Sequence, residues 1–363
     1  MNLASQSWAH EPDPQSFEET AAPIKLRAPY LIYFGDVADA AHAKTGLGLI
    51  QWRREQCAGQ MRAPGCRVDG GIREMCIDDA AEAGVKSLLI GVAPSGGSIS
   101  AAWIADLAAA ARAGLDIVSG MHARLSSFPE IAAAARQSGV RLIDVRTPPK
   151  NIPVGTGEKR SGKRLLTVGS DCAVGKKYTA LSIEKEMRAR GWAADFRATG
   201  QTGIMIAGSG IAIDSVVADF LSGAAEMLSP SAPANHWDVI EGQGSLFHPS
   251  FAGVSLGLLH GSQPDALVLC HDPTREFLLG MESPQRFSLV PPRENIELCL
   301  ALARRVNKNA RFVGVSLNTS SLSESERAKL YDQYAEETGL PVADPIRDGV
   351  GPFIDRLETE QGE

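Results

Sequence analysis

A glycine-bounded loop with two adjacent lysines is the feature of this sequence that points most directly to chemistry. Gly169 is followed by Ser-Asp-Cys-Ala-Val and then by Gly175, Lys176 and Lys177. Glycines let successive backbone N–H groups turn toward one point, and the N-terminus of a following helix adds a positive dipole, so a phosphate is stabilised there. Lys176 adds a point charge. The pattern therefore predicts a phosphate-binding P-loop over 169–179.

This loop departs from the common nucleotide-binding pattern in two ways. Its spacing is Gly-x5-Gly-Lys, one residue longer than the usual form. Lys177 stands where a nucleotide hydrolase places a Ser or Thr to ligate Mg²⁺, and Thr179 lies about 200° further around a helix. A Mg²⁺–triphosphate site is disfavoured, whereas two lysines suit phosphates that are bound but not cleaved. The predicted cofactor-binding residues are Gly169, Ser170, Cys172, Ala173, Val174, Gly175, Lys176, Lys177, Tyr178 and Thr179, together with Asn318, which could contact an adenine edge.

Two further segments follow predicted strands and contain polar side chains. Ligands of open α/β sheets lie beyond the carboxyl ends of the strands, so these segments are expected near the loop. Glu241-Gly-Gln-Gly-Ser245 offers a carboxylate as general base and glycine N–H groups for an oxyanion. Thr199-Gly-Gln-Thr-Gly203 offers hydrogen bonds from Gln201 and Thr202, but it is equally consistent with an ordinary turn.

Strands that alternate with helices must position these residues. Apolar runs at 30–35, 87–91, 115–119 and 140–145 have Ala-rich helical stretches between the later ones, which predicts a parallel sheet. Thr147-Pro-Pro-Lys150 ends this unit, and the alternation restarts at Arg164. We therefore predict an N-terminal tail (1–27), a smaller Rossmann-like α/β domain (28–150) and a P-loop α/β domain (151–363). The strands predicted in the last are 164–169, 194–199, 237–241, 265–270, 311–317 and 340–344.

In the first domain, two strand ends are candidates to face a cleft between the domains. These are Ala93-Pro-Ser-Gly-Gly97 and Ser119-Gly-Met-His122, and both are equally readable as turns. The lone histidines His260 and His271 are expected to be structural.

Composition excludes several classes of function. The 363 residues carry a net charge of −7 with no Lys/Arg-rich run, which argues against nucleic-acid binding. No stretch reaches the ~18 apolar residues of a membrane span, and the polar, acidic start does not resemble a signal peptide, so we expect a cytoplasmic protein. The six cysteines lack CxxC spacing, and Cys57, Cys66 and Cys76 are too widely spaced for a zinc site, so we expect free thiols and no metal.

Three motifs together carry a resemblance to known families. Gly169–Lys177, Gly200–Gly203 and the Glu241-Gly-Gln-Gly run look like motifs of dethiobiotin synthetase and its P-loop relatives. With Gly257-Leu-Leu-His-Gly-Ser-Gln-Pro-Asp265 added, the chain from about 28 to 355 resembles the domain-of-unknown-function 1611 family. The resemblance implies D-glutamate N-acetyltransferases of the DgcN type, which transfer acetyl from acetyl-CoA to the amine in D-amino-acid catabolism.

Acetyl-CoA agrees with the loop, because coenzyme A carries phosphates to bind and its chemistry needs no Mg²⁺–triphosphate. Glu241 or Asp171 would deprotonate the ammonium of a small acidic amino acid, and the N–H groups of Gly242 to Gly244 or Lys176 would stabilise the oxyanion. Cys172 is a weaker alternative as an acyl-carrying nucleophile. The substrate carboxylates need cations, for which Arg197, Lys177 and Arg286 are candidates. The predicted substrate-binding residues are Arg197, Gln201, Thr202, Gly242, Gln243 and Gly244.

Two other functions remain open, and we expect a homo-oligomer in each case. One is an ATP-dependent carboxylate-activating ligase or kinase like dethiobiotin synthetase, which would release phosphate from ATP with Mg²⁺. The other is a non-catalytic nucleotide sensor, which would bind nucleotide tightly without turning over an amino acid.

Overall fold

The computed structural model describes residues 23–40, 42–92, 99–281 and 287–359. The segment Ala93–Gly97 and the side chain of Arg286, both singled out from the sequence, lie outside the described residues. The strands are β1 (Ile24–Lys25), β2 (Tyr30–Gly35), β3 (Cys57–Arg62), β4 (Ser87–Ile90), β5 (Asp116–Ser119), β6 (Leu142–Asp144), β7 (Lys163–Gly169), β8 (Ala194–Arg197), β9 (Ser209–Gly210), β10 (Trp237–Ile240), β11 (Ala266–His271), β12 (Arg311–Leu317) and β13 (Val342–Ala343).

Helices follow most of the strands, as expected for a parallel sheet covered on both faces. They are α1 (Lys44–Trp52), α2 (Ile77–Glu82), α3 (Ala101–Arg112), α4 (Pro129–Ser138), α5 (Lys176–Ala189), α6 (Gln201–Ala207), α7 (Leu221–Leu228), α8 (Ala252–Ser262), α9 (Pro292–Ala303), α10 (Glu324–Thr338) and α11 (Gly351–Thr359). None of the helices in the described ranges is long and apolar enough to cross a membrane.

The first sheet has five parallel strands in the order β3-β2-β4-β5-β6. Every residue of β2, β4 and β5 is buried, which explains why these strands read as continuous apolar runs in the sequence. β3 was not predicted. Its sequence, Cys-Ala-Gly-Gln-Met-Arg, is half-buried at the edge of the sheet, so it lacks the apolar run that marks a central strand.

The second sheet has six parallel strands in the order β13-β12-β11-β7-β10-β8. All six strands predicted in this half are present. The strand that leads into the P-loop, β7, lies between β10 and β11, so the ends of both neighbours adjoin the loop. α7, α8 and α9 pack on one face of this sheet, and α5 and α11 pack on the other.

The two sheets are joined by more than the connecting segment. Residues predicted as an unpaired tail form β1, whose Ile24 pairs with Gly210 of β9 in the second half of the chain. One apolar cluster also runs from the first sheet to α5, where it includes Leu181 and Met187. This packing holds α1 of the first half against α5 and α6 of the second. We keep the division at residue 150 as a proposal.

Candidate functional site

The P-loop forms a backbone cradle between β7 and α5. Ala173 and Gly175 adopt positive φ angles of 53° and 103°, which turn the chain sharply before the helix begins at Lys176. A left-handed conformation costs little at glycine, so Gly175 suits this turn. The N–H groups of Ala173, Val174 and Gly175 have no acceptor among the described residues, and the first turn of α5 adds further unpaired N–H groups. An anion would satisfy these donors.

Lys176 lies back across the loop instead of extending into solvent. Its ammonium donates to the Asp171 carbonyl at 2.6 Å, and only 7% of the residue is exposed. A β-carbon at Gly169 would lie 2.7 Å from this ammonium, so the glycine makes room for it. Burial lowers the pKa of Lys176. A buried lysine whose hydrogen bond goes to one carbonyl retains donors for a phosphate.

Asp171 holds the loop in place. Its Oδ2 accepts from Arg275 and from the Leu279 N–H, both at 2.8 Å, and its Oδ1 accepts from the Cys172 N–H at 2.6 Å. Both oxygens of this fully buried carboxylate are therefore engaged. As a general base it would have to break an ion pair, so its geometry favours a role in shaping the loop.

Arg275 is a site residue that sequence reasoning missed. Beside the ion pair with Asp171, its guanidinium donates to the Cys172 carbonyl at 2.7 Å and to the Ala173 carbonyl at 3.2 Å. These bonds hold the loop carbonyls on the outside, which leaves the N–H groups to line the cradle. The sequence signal that could have indicated Arg275 is its position four residues after β11, because β11 pairs with β7, the strand that leads into the loop.

Glu241 comes directly after β10 and is 5% exposed. Its Oε2 accepts from the N–H groups of Thr199 at 3.0 Å and Gly200 at 3.1 Å, whereas Oε1 accepts no hydrogen bond from the described residues. Burial raises the pKa of this carboxyl, and the charge of Lys177 is the strongest opposing influence. One anchored oxygen, one open oxygen and a raised pKa are the properties required of a general base.

Lys177 is half-buried beside Glu241. Burial lowers the pKa of its ammonium, and Glu241 counteracts that shift. The ammonium also lies 4.5 Å from the centroid of the Tyr178 ring. This lysine donates no hydrogen bond within the described residues, so it can still receive an anion.

Several predicted side chains do not face the cradle, and their assignments need correction. The Ser170 hydroxyl contacts His271 Nδ1 at 2.8 Å, and Thr179 contacts Ser316 at 2.8 Å, both in the core. The Val174 side chain is 1% exposed. These residues entered the predicted set because they neighbour the loop lysines in the chain. The directions of their side chains remove the side chains from a ligand-binding role, whereas the N–H group of Val174 still belongs to the cradle.

Arg197 and Asn318 are also used elsewhere. Arg197 donates to Asp238 at 2.7 Å on the edge strand β8, so its charge is already paired. Asn318 follows β12, which is separated from the loop strand by β11, and donates to Asp272 at 3.1 Å. Neither side chain is brought to the loop.

Gln201 and Thr202 contact the first half of the chain. The side-chain amide of Gln201 donates from its nitrogen to the Gly120 carbonyl at 2.8 Å and accepts at its oxygen from Arg146. The Thr202 hydroxyl contacts the Thr45 hydroxyl at 3.0 Å. Gly120, in the segment after β5, thus contacts the second half of the chain, whereas the role of this segment in a cleft stays a prediction.

The sequence predicted glycine N–H groups after Glu241 that are open to an oxyanion. The structure instead packs these glycines closely. The Gly242 N–H donates to the Thr167 hydroxyl at 3.0 Å, and the Gln243 side chain donates to the Thr199 hydroxyl at 2.9 Å. Gly242 to Gly244 border a cavity of about 20 Å³ on the α8 side of the sheet. That volume holds about one water molecule.

Comparison with known proteins agrees with this geometry. A model described as "Domain of unknown function (DUF1611_C) P-loop domain" matches residues 153–354, and a model described as a DUF1611_N Rossmann-like domain matches 61–148. The chain belongs to the DUF1611 family. The predicted fold class, a P-loop parallel-sheet domain preceded by a smaller Rossmann-like α/β domain, is confirmed.

Three relatives match nearly the whole of this DUF1611 chain. A Pseudoalteromonas protein named D-glutamate N-acetyltransferase is 46% identical over 92% of this chain and 100% of its own length. A Tritonibacter scottomollicae protein of the same name is 46% identical over 92% of this chain and 99% of its own. The crystal structure of a DUF1611 family protein from Anabaena variabilis ATCC 29413 has a TM-score of 0.78 and 32% identity, covering 92% of this chain and 100% of that one.

One group of possible metal ligands in this DUF1611 chain stands beside the loop, and its geometry does not favour a metal. Asp171, Cys172 and His248 place ligand atoms within 4.8 Å of one another. Both Asp171 oxygens are already bonded, while His248 Nε2 contacts the Leu279 carbonyl at 3.1 Å and Nδ1 accepts from the Ser250 N–H at 3.2 Å. Burial raises the pKa of the Cys172 thiol, which disfavours the thiolate needed for metal binding or for acyl transfer.

His271 forms a buried chain behind the loop. Its Nδ1 contacts Ser170, and its Nε2 contacts the Tyr334 hydroxyl at 3.1 Å. Burial lowers the pKa of His271 to about 4. The ring is therefore neutral at pH 7 and serves to join β7, β11 and α10.

Proposed function

We propose that this chain is an acetyl-CoA-dependent N-acetyltransferase that acetylates the amine of D-glutamate. The observation that carries the proposal is a buried carboxylate with one open oxygen, Glu241, beside an anion-binding loop, in a chain 46% identical over nearly its full length to two proteins of that name. The loop supplies a place for phosphates, and the carboxylate supplies a base.

The residues of the loop fit the phosphates of coenzyme A. Unpaired N–H groups at 173–175 and at the start of α5 are available to an anion, and Lys176 adds a buried charge beside them. Arg275 and Asp171 keep these groups oriented. Acetyl-CoA, when bound, supplies a thioester whose carbonyl carbon is attacked by the amine nitrogen, so that a C–N bond forms, the C–S bond breaks and the thiol leaves.

Glu241 prepares the amine for that attack. An amino-acid ammonium has no lone pair, so it must first lose a proton, and Oε1 of Glu241 is the open acceptor. The two N–H donors on Oε2 fix the carboxylate while Oε1 receives the proton.

Lys176 cannot both bind the phosphates and balance negative charge on the acetyl carbonyl oxygen, because the pantetheine arm of coenzyme A separates the thioester from the phosphates. We therefore assign Lys176 to the phosphates. The other predicted oxyanion donors are poorly placed, because the Gly242 N–H is bonded to Thr167, and Gln243 and Gly244 border a cavity on the α8 side.

The ATP-dependent ligase or kinase is the weaker reading. Lys177 occupies the position of the Mg²⁺-ligating hydroxyl, and Thr179 is committed to Ser316 and the Gly175 carbonyl. The Ser170 hydroxyl contacts His271, so neither the serine nor the threonine hydroxyl of the loop is left for a metal.

The direct test is to incubate the pure protein with acetyl-CoA and either D- or L-glutamate. Thiol release and N-acetylglutamate, detected by mass spectrometry, should appear together with the D-isomer. The proposal fails if neither isomer is acetylated, or if thiol is released without N-acetylglutamate.

A further inference from the structure

The junction between the two halves of the chain lies directly beside Lys177 and Glu241. Thr45 of α1 and Thr202 of α6 are joined by their hydroxyls at 3.0 Å, and the rings of Trp52 and Tyr178 stack with centroids 6.1 Å apart. The first contact fixes the start of α1 against the start of α6, and the second fixes the end of α1 against the start of α5. The first half of the chain therefore forms one wall of the site.

Lys44 stands at this wall. It is the first residue of α1, immediately before Thr45, and it is exposed and donates no hydrogen bond to any described residue. The next residue, Thr45, contacts Thr202, whose neighbour Gly203 lies against the Glu241 carboxylate, so the start of α1 lies near this carboxylate. The positive charge of Lys44 also lowers the pKa of Lys177. The charge of Glu241 acts in the opposite direction and raises the pKa of Lys177.

The placement of these lysines is unfavourable for the helices that carry them. Lys44 begins α1, and Lys176 and Lys177 begin α5, and neither helix has an acidic residue in its first turn. The N-terminus of a helix carries partial positive charge, so a cation there is destabilising and an anion is favoured. The three charges are therefore better explained by anionic ligands than by helix stability.

We propose that Lys44 binds the side-chain carboxylate of the acidic amino-acid acceptor while Lys177 binds its α-carboxylate, so that the acceptor site spans both domains. This inference rests on the proposed function. The amine must reach Oε1 of Glu241, and Lys177, whose ammonium lies over the Tyr178 ring beside α1, is then the cation available to the α-carboxylate on the same carbon. The side-chain carboxylate is three carbon–carbon bonds further on and reaches toward the opposite wall, where Lys44 stands.

The test compares Lys44→Met, Lys44→Arg and the control Lys86→Met. Lys86 is an exposed lysine of the same domain, located just before β4 at the amino ends of the parallel strands, whereas Lys44 follows the carboxyl end of β2. Lys44→Met should raise KM for D-glutamate by about 10- to 100-fold, the loss expected for a hydrogen bond to a charged group, with KM for acetyl-CoA unchanged. Lys44→Arg should recover most of the loss, and Lys86→Met should behave as wild type.

A second measurement separates recognition of charge from a structural effect. D-Glutamine has the same length but an uncharged side chain, and its inhibition constant as a competitor of D-glutamate should change by less than about threefold in Lys44→Met, because the lost interaction is one with charge. An unchanged KM for D-glutamate in Lys44→Met, or an equal loss for D-glutamine, would overturn the inference. An inactive wild type would instead overturn the proposed function.

Discussion

The carboxylate of Glu241 fills the space in which any residue other than glycine at position 203 would place its β-carbon. That carbon would lie 2.9 Å from Glu241 Cδ and would overlap Oε2. Gly203 lies within α6, where glycine has no conformational advantage, so its small size is what the site uses. The helix and the carboxylate are thus packed to fit each other.

The substitution Gly203→Ala should therefore displace Glu241 and slow acetyl transfer by about tenfold or more, with an overpacking cost of about 1–3 kcal/mol. Gly253→Ala is the matched control, because a β-carbon at this helical glycine of α8 meets nothing within 4 Å. The control should be at least as stable as wild type. Equal activity in the two variants, measured as kcat, would contradict the fit between Gly203 and Glu241.

We expect Glu241→Gln to slow acetyl transfer by about 10²-fold or more, because the amide keeps the shape of the side chain but cannot take a proton. The dissociation constant of CoA should stay nearly the same. Glu184→Gln is the control, since Glu184 is also buried with a pKa raised by burial, but it pairs with Arg188 on α5 away from the loop. Full activity in Glu241→Gln would move the base elsewhere.

The pH dependence of kcat should show the environment of Glu241. A general base works in its ionised form, so activity is lost as the pH falls through the pKa of this carboxyl. Because burial raises that pKa, the acid limb should lie above the ordinary glutamate value of about 4.3. The limb should be absent from the residual activity of Glu241→Gln. A limb at or below the ordinary value, or one that persists in the variant, would count against this assignment.

The sequence was sufficient to predict the loop and the sheets but not the directions of side chains. Gly175 and Lys176 at a helix start serve no packing purpose, so a ligand was the simplest reading, and the central strands were visible because both of their faces are buried. Ser170 and Thr179 were placed in the site by position in the chain alone, whereas the fold turns both into the core.

Residues distant in the chain were harder to predict. Arg275 is more than a hundred residues from the loop and reaches it only because β11 pairs with β7. The start of α1, which carries Lys44, lies near Glu241 only because Thr45 contacts Thr202 of α6. Neither contact has a local pattern, since each depends on strand order and on how the two sheets meet.

Lys176→Ala should weaken CoA binding by about 1.5–3 kcal/mol, the contribution of a hydrogen bond to a charged group. Calorimetric titration with CoA measures this directly. Lys185→Ala, which removes an exposed lysine from the same helix, should leave the affinity unchanged. If both variants bind CoA as wild type does, the loop does not hold the phosphates.

Removal of Arg275 should loosen the loop. Arg275→Met leaves the fully buried Asp171 without its cationic partner and frees two loop carbonyls, so we expect a loss of about 2–4 kcal/mol and weaker CoA binding. The expected loss of stability is at or below the usual cost of removing one partner of a buried ion pair, because the Arg275 side chain is 22% exposed to solvent. Arg293→Met, at a 71% exposed pair on α9, is the control. Thermal unfolding midpoints that fall equally in both variants would argue against this role.

Wild-type protein should not hydrolyse ATP with Mg²⁺, in the presence or absence of D-glutamate. A lysine ammonium at position 177 repels the metal while neutralising the phosphates that the metal would neutralise, so the two roles exclude each other. The side chain is also held in place by the charge of Glu241 and by the ring of Tyr178. Steady phosphate release that depends on Mg²⁺ would overturn this prediction and favour the ligase.

The variant Lys177→Thr tests the same point in the opposite direction. It places a hydroxyl at the second residue of α5, next to Lys176, where a P-loop holds its metal. We expect ATP to bind more tightly with Mg²⁺ than without it in this variant, and equally weakly in both conditions in wild type. Calorimetry with and without Mg²⁺ measures the difference. Lys177→Met is the control, because it removes the charge without adding a ligand, so a Mg²⁺ effect in both variants would assign it to lost repulsion and not to the hydroxyl.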